Sequence, residues 1–172
     1  ADGTYKLGKN LVASDIPNPK QKSENAQFKP MIWDTVTNKP AAPNGTLGDR
    51  FGDEGLGKWN LELGDLKPTL SLYREGGESV AVELPVFDNP DGSVRGMTRG
   101  VPVQRVDGRV VTTVFDLMLA QYGVGRKGLP GDWPTGYDDE KGAYTPAWQE
   151  TITNCKADQV ARIAREFAKN AE

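Results

Sequence analysis

The chain has 172 residues, a hydrophobic share of 37%, a formal net charge of −3 and a pI near 5.1. Its Lys and Arg residues are scattered, which argues against a surface for nucleic acid or an anionic membrane. Histidine is absent and Cys155 is the single cysteine. This excludes a Ser-His-Asp or Cys-His catalytic group, a four-cysteine iron–sulfur site and an internal disulfide within the chain.

No stretch approaches the ~18 consecutive apolar residues of a membrane span, and residues 1–6 lack the apolar core of a signal peptide. We therefore predict a cytoplasmic chain without direct membrane insertion. The 20 Gly and 12 Pro favour either a thin, turn-rich domain or a segment that completes its core against another polypeptide.

Residues 1–58 are predicted to be extended and loop-rich, because prolines and glycines interrupt them without a sustained periodicity. Apolar residues such as Phe28, Met31, Ile32 and Trp33 could anchor these loops on a neighbouring surface.

Residues 59–112 are predicted to form short strands and hairpins. Trp59, Leu61 and Leu63 alternate with polar residues, the period of a half-buried strand. Residues 69–73 and 79–84 repeat that pattern on either side of Gly76-Gly77, which predicts that they pair antiparallel. A second hairpin is predicted from Asp107-Gly108, which lies between the apolar runs 101–106 and 109–112.

Residues 113–172 are predicted to be helical. Thr113 and Asp116 can cap a first helix that has Val114, Leu117 and Met118 on one side, together with Gln121, and that ends at Gly123.

Thr145 as N-cap and Pro146 at the first helical position predict a second helix to about Ile152, followed by a turn at Thr153-Asn154.

The last helix is predicted to be amphipathic, since an apolar stripe recurs at helical spacing: Val160, Ile163, Ala164 and Phe167. We expect this stripe to fold back onto the first helix or to contact a second copy, which makes a dimer of the chain possible. The fold class that results is α+β, in one fragment domain over residues 1–172.

Several patterns could carry chemistry, and each has a structural interpretation that we favour. The run Gly123-Val124-Gly125-Arg126-Lys127-Gly128 matches a dinucleotide-binding fingerprint in letters, but it follows a helix instead of a strand. It is interpreted as a helix stop and loop. The run from Asp88 to Gly92 is interpreted as a turn.

Two acidic groups lack the ligand spacing of a calcium loop and are interpreted as solvated loops: Asp49, Asp53 and Glu54, and Asp132, Asp138, Asp139 and Glu140. Cys155, beside Lys156, could be a reactive thiol but is interpreted as an incidental, semi-buried cysteine. Trp33, Trp59, Trp133 and Trp148 are interpreted as anchors of the core and loops. No residue is assigned as catalytic, cofactor-binding or metal-binding.

A resemblance extends further than these patterns. Several stretches resemble the alpha subunits of membrane-bound respiratory nitrate reductases, in the molybdopterin oxidoreductase family related to dimethyl sulfoxide reductase. Those stretches lie in order along the chain, at residues 43–52, 57–62, 70–72, 111–117, 120–124, 143–148 and 163–168, and include Gly57-Lys58-Trp59-Asn60-Leu61-Glu62, Thr112-Thr113-Val114-Phe115-Asp116-Leu117 and Tyr144-Thr145-Pro146-Ala147-Trp148.

The resemblance implies a parent enzyme that reduces nitrate to nitrite at a molybdenum bound by two pterin guanine dinucleotides. It also implies an iron–sulfur cluster of the [4Fe-4S] type, and electrons delivered from quinol. The implied partners are the remainder of the alpha subunit, an iron–sulfur beta subunit and a cytochrome b gamma subunit at the cytoplasmic membrane face. None of the family's cofactor motifs occurs here, so the chain is expected to bind no cofactor and to be inactive alone.

Two departures from the family pattern affect the expected structure. Residues 87–103 are only loosely similar, which leaves the strand register there open. Lys156 replaces a helix-capping Ser or Pro, which predicts a weakly capped last helix. The alternatives are a free-standing binding or scaffold module and, within the family, a nitrite oxidoreductase or another oxyanion molybdoenzyme.

Overall fold

The computed structural model describes residues 3–16, 26–43, 63–87 and 95–171. Within them, three α-helices and short antiparallel strand pairs form an α+β structure, which confirms the predicted fold class. The chain divides into two compact units, each discontinuous in sequence. Unit 1 comprises Ala1–Leu7, Tyr73–Pro102 and Val114–Glu172; unit 2 comprises Gly8–Leu72 and Val103–Thr113.

Several sequence predictions fall on residues outside the described ranges. These are the strand positions 59–62, the acidic group Asp49, Asp53 and Glu54, and the turn from Asp88 to Gly92.

The described residues of unit 2 include five short strands: β1 (Ile32–Asp34), β2 (Lys39–Ala41), β3 (Pro68–Thr69), β6 (Gln104–Val106) and β7 (Arg109–Val111). The first three form an antiparallel sheet in the order β2-β1-β3, and β6 pairs with β7. Two 3-10 turns precede the sheet, at Ala13–Asp15 and Ala26–Phe28.

The β1–β2 hairpin corrects the prediction of loop for that stretch. Its turn is held by Asp34, whose carboxylate accepts hydrogen bonds from the Thr37 hydroxyl (2.6 Å) and backbone N–H (3.0 Å). Asn38 adopts a left-handed conformation with φ of 52°. Strands of three residues are too short to display a period of two, and Pro40 is tolerated because β2 lies at the sheet edge.

The β6–β7 hairpin forms where it was predicted. Its two turn residues, Asp107 and Gly108, have φ of 47° and 76°. Positive φ at both central positions is the mark of the type I′ turn that Asp-Gly favours.

Unit 1 is built on two eight-residue strands, β4 (Ser79–Val86) and β5 (Arg95–Pro102), paired antiparallel with Ser79 opposite Pro102. Tyr5 extends the sheet beyond β4, because its N–H donates to the Ala81 carbonyl (2.8 Å) and its carbonyl accepts from the Glu83 N–H (3.0 Å). The core residues of this sheet are all buried: Val82, Leu84, Val86, Met97 and Val101.

The predicted hairpin between residues 69–73 and 79–84 is wrong. Gly76-Gly77 does turn the chain, and the Gly77 N–H donates to the Arg74 carbonyl at 2.9 Å. However, β4 takes β5 as its partner, and β3 pairs with β1. The ladder between β4 and β5 joins eight residue pairs, more than the five residues of the run 69–73 could form, and β5 contributes the buried Met97 and Val101.

Three helices complete unit 1: α1 (Val114–Gln121), α2 (Pro146–Thr153) and α3 (Ala157–Lys169). The end of α1 agrees with the prediction: Gly123 has φ of 76°, and the Val124 N–H donates to the Leu119 carbonyl (2.9 Å). The buried residues of α1 are Asp116 and Ala120, so the apolar side described from sequence is not the side that faces the core.

The corner between α2 and α3 also forms as predicted. Thr145 caps α2 by accepting from the Trp148 N–H (3.0 Å), and Asn154 is left-handed with φ of 59°. Lys156 provides no side-chain cap for α3. The cap comes instead from Glu150, whose carboxylate accepts from the Ala157 N–H (2.8 Å) and pairs with Lys156 (2.7 Å).

Helices in the described ranges fall short of the length and apolar character needed to cross a bilayer.

Candidate functional site

Arg99, in the middle of β5, is a buried charged residue of unit 1. Its side chain is buried, with Nη1 donating to the carbonyls of Ala120 (2.6 Å) and Gln121 (3.1 Å) and Nε donating to the Asp132 carbonyl (2.7 Å). Carbonyls in the last turn of a helix lack partners within the helix and carry partial negative charge. Arg99 thus joins β5, the end of α1 and the loop at Asp132.

The surroundings of Arg99 are tightly built. Its guanidinium carbon lies 5.4 Å from the centroid of the Trp133 ring, a cation–π contact. Burial lowers the pKa of the guanidinium, and the charge of Asp132 opposes that effect. The loop approaches β5 so closely that a Cβ on Gly131 would lie 2.4 Å from the Thr98 carbonyl oxygen, so only glycine fits there.

An ion pair that is largely withdrawn from water lies at α1. The Asp116 carboxylate accepts from Nη1 of Arg126 at 2.6 Å, and the two side chains are 0% and 15% exposed. The guanidinium carbon of Arg126 also lies 4.9 Å from the Tyr73 ring centroid. Buried charges are tolerated when they are paired in this way. The pair fixes the loop after α1 against the helix.

Three aromatic rings in contact connect the end of α1 to α2. The Tyr122 and Tyr144 rings meet edge to face at 5.7 Å, and those of Tyr144 and Trp148 at 5.1 Å. The Tyr144 hydroxyl accepts from the Phe87 N–H at 2.8 Å. The aromatic residues are therefore used as packing anchors, as predicted for Trp148.

The loop before α2 is organised by Asp139. Its carboxylate accepts from the backbone N–H groups of Thr135 (3.0 Å), Gly142 (2.9 Å) and Lys141 (3.0 Å). The hydrogen bonds from Thr135 and Gly142 are the main cause that holds the pKa of Asp139 below its ordinary value. These contacts give Asp139 a turn-forming role.

The remaining predicted positions are dispersed. The run from Gly123 to Gly128 is a helix stop and loop, as expected, and Gly125 packs on the Trp133 ring. Trp33 is buried in unit 2. Cys155 was predicted to be semi-buried, but it is exposed, because it lies on the outer corner between α2 and α3.

The described residues contain no group of three His, Cys, Asp or Glu side chains that could hold a metal ion. The buried Arg99 and Asp116 and the half-buried Arg126 are engaged by carbonyls, an ion pair and aromatic rings. They are suited to fixing helices and strands in position. Sequence reasoning missed Arg99 and Arg126, because their partners are 10 or more residues away.

Nearly the whole chain aligns with one part of a much larger polypeptide. It is 53% identical over 169 residues to the nitrate reductase alpha subunit of Mycobacterium tuberculosis, which covers 95% of this chain and 14% of the relative. It is 39% identical over 180 residues to the nitrate reductase alpha chain of Bacillus subtilis, covering 99% and 14%. It is also 39% identical over 190 residues to the respiratory nitrate reductase 1 alpha chain of Escherichia coli, covering 99% and 15%.

No family model matches the chain. No solved structure matches it either.

The chain is therefore homologous to a segment of a large oxidoreductase subunit. That subunit is the alpha subunit of nitrate reductase, of whose length the chain spans about one seventh in the relatives it matches. The resemblance read from the sequence is confirmed at this level.

Proposed function

We propose that this chain is a structural segment of the catalytic alpha subunit of a respiratory nitrate reductase, and that it performs no chemistry alone. The observation that carries the proposal is the 53% identity over 95% of the chain to a nitrate reductase alpha subunit. The full polypeptide reduces nitrate to nitrite. It works with an iron–sulfur beta subunit and a cytochrome b gamma subunit, at the cytoplasmic face of the membrane.

The iron–sulfur cluster of such an enzyme does not fit the residues of this segment. The segment has no histidine, and its one cysteine is exposed on a helix corner. Iron–sulfur clusters need several thiolate or imidazole ligands. The ligands must come from other parts of the polypeptide, so no catalytic step is assigned to a residue here.

The segment contributes rigidity to the subunit. Arg99 ties the end of α1 to β5 and to the loop at Asp132, while Arg126 ties the next loop to Asp116. Each contact joins elements separated in sequence, so the positions of α1, β4 and β5 depend on one another. A rigid body of this kind is what a cofactor-enclosing subunit needs from the parts that hold no cofactor.

A chimera tests the proposal. The segment of the M. tuberculosis alpha subunit that aligns with this chain is replaced by residues 1–172, and nitrite formation is measured with a reduced viologen dye as the electron donor. We expect nitrite at a rate comparable to that of the unmodified enzyme, because the exchanged segment only has to complete the same body.

The matched control is the same chimera carrying Asp116→Ala, which should lose activity in proportion to its loss of folded protein. A chimera that folds and binds its cofactors but forms no nitrite would contradict the proposal.

A further inference from the structure

Three of the four residues of the apolar stripe of helix α3 (Ile163, Ala164 and Phe167) are exposed within the described chain, and Val160 is half-buried. Ile163 is 59% exposed and Phe167 is 78% exposed, and none of the residues of α3 is buried. The predicted fold-back of this stripe onto α1 is therefore wrong for the single chain. A helix of 13 residues owes most of its stability to the packing of such a stripe, so an uncovered one indicates a missing contact.

Helix α1 shows the same feature on its outer side. Val114 and Met118 lie four residues apart on this side and are 68% and 45% exposed, while Asp116 and Ala120 face the core. Helices that are apolar on more than one side are normally enclosed by protein. Among the described residues of unit 1, both α1 and α3 thus expose apolar side chains.

The charges beside the α3 stripe do not select a lipid surface or nucleic acid. Helix α3 carries the basic residues Arg162, Arg165 and Lys169 and the acidic residues Asp158 and Glu166, a net charge of +1, whereas binding to anionic membranes requires a concentration of basic residues. The occupant of the stripe is therefore protein with an apolar surface.

The size of the stripe argues against a second copy of the chain. A 13-residue helix is ~20 Å long and ~10 Å wide, so one face of it offers on the order of 200 Å². A stable complex between separate molecules usually buries about 800 Å² on each partner. A segment of the same polypeptide needs no such area, because the connection keeps it at a high effective concentration.

The length of the relatives indicates which protein covers these helix faces. The chain corresponds to 14% of the M. tuberculosis relative, so most of the subunit lies outside these residues. We infer that the outer faces of α1 and α3 are internal interfaces, covered in the full-length subunit by other parts of the same polypeptide. This inference rests on the proposed function, since it requires the chain to be a segment of that subunit.

Hydroxyl-radical footprinting of the full-length polypeptide tests the inference, because Met118, Tyr122 and Phe167 are oxidised readily when they are in contact with water. The rate of oxidation at each residue is measured by mass spectrometry and compared with the same polypeptide unfolded in denaturant. We expect oxidation of Phe167 and Met118 to be almost lost in the folded alpha subunit, both as purified alone and after dilution.

Each other result overturns the inference. Phe167 oxidised as fast as in the unfolded polypeptide would show that the stripe faces water. Protection that disappears on dilution would assign the stripe to a second copy, and protection that requires the other subunits would assign it to one of them.

A pair of variants provides an independent measurement. Phe167→Glu should cause loss of soluble folded alpha subunit, whereas Lys169→Gln, which makes the same change in net charge on the opposite side of α3, should leave it unchanged. Equal yields of both would overturn the inference. Nitrite formation is recorded separately: an active enzyme with oxidised Phe167 would contradict this inference alone, and an inactive one with protected Phe167 would contradict the proposed function alone.

Discussion

At the scale of single residues, the Asp116–Arg126 pair differs from the other ion pairs because both side chains are withdrawn from water. Removing one member leaves a buried charge without its counterion. We expect Asp116→Ala to lower the free energy of unfolding by ~3–5 kcal/mol, measured by urea denaturation of the purified chain.

Its control is Glu75→Ala, which breaks the exposed pair with Lys127 in the same unit and should change the free energy by less than about 1 kcal/mol. Equal effects of the two substitutions would contradict the burial of Asp116.

Asp34 makes the stability of unit 2 depend on pH. Hydrogen bonds from the Thr37 hydroxyl, the Lys67 N–H and the Thr37 N–H lower the pKa of its carboxyl from 3.8 to about 2. The folded pKa lies below the unfolded one, so this contribution is complete above pH ~4 and is lost as the pH falls towards ~2.

The prediction is checked by thermal unfolding from neutral pH down to about pH 2 for the unmodified chain and for Asp34→Asn. The variant should be less stable at neutral pH, and the difference between the two should shrink as the pH falls. A difference that does not change with pH would contradict the lowered pKa.

At the scale of elements, α3 depends on a cap supplied by α2. The Glu150 carboxylate accepts from the Ala157 N–H and pairs with Lys156. We expect Glu150→Ala to speed hydrogen exchange at the amides of residues 157–160, with a smaller effect for Glu150→Gln, which keeps an acceptor oxygen. The control is Glu166→Ala, whose pairing with Arg162 is long at 3.9 Å. Unchanged hydrogen exchange in Glu150→Ala would contradict the capping of α3 by Glu150.

Elements defined by short-range signals were predictable from sequence. Thr145 followed by Pro146, Gly123 after α1, and Asp107-Gly108 between apolar runs each specify a backbone conformation locally, and all three form as expected. The partner of β4 was not predictable, because nothing near Gly76-Gly77 indicates that the longer strand β5 pairs with it along all eight residues. The role of Arg99 was not predictable either, because its carbonyl partners lie 21 to 33 residues away in the sequence.

At the scale of the whole molecule, the chain should carry no metal. We expect elemental analysis of the purified chain to find no stoichiometric molybdenum, iron or zinc, and we expect no nitrite formation with a viologen donor, because the sequence lacks histidine and has one cysteine. One equivalent of any of these metals, or measurable turnover, would mean that the chain contains a site of its own.

The effect of Phe167→Ala should depend on the size of the polypeptide that carries it. In the purified chain the ring is 78% exposed, so the free energy of unfolding should change by less than ~0.5 kcal/mol. In the full-length subunit, where we infer that the ring is covered, the loss should be ~3–5 kcal/mol. Leu84→Ala, in the core of unit 1, serves as control and should destabilise both forms. A small effect of Phe167→Ala in both forms would contradict the covering of α3.

The interleaving of the two units has a consequence for synthesis on the ribosome. Tyr5 pairs with Val82 in unit 1, yet all of Gly8–Leu72, the larger part of unit 2, is made between them. Unit 2 in turn is complete only when Val103–Thr113 has been added, after β5 of unit 1. The ribosome releases a chain N-terminus first, and domains fold as their residues become available. All residues of unit 2 are therefore available before unit 1 receives Val114–Glu172, so unit 2 can fold first. Tyr5 must therefore remain unpaired until Val82 has left the exit tunnel.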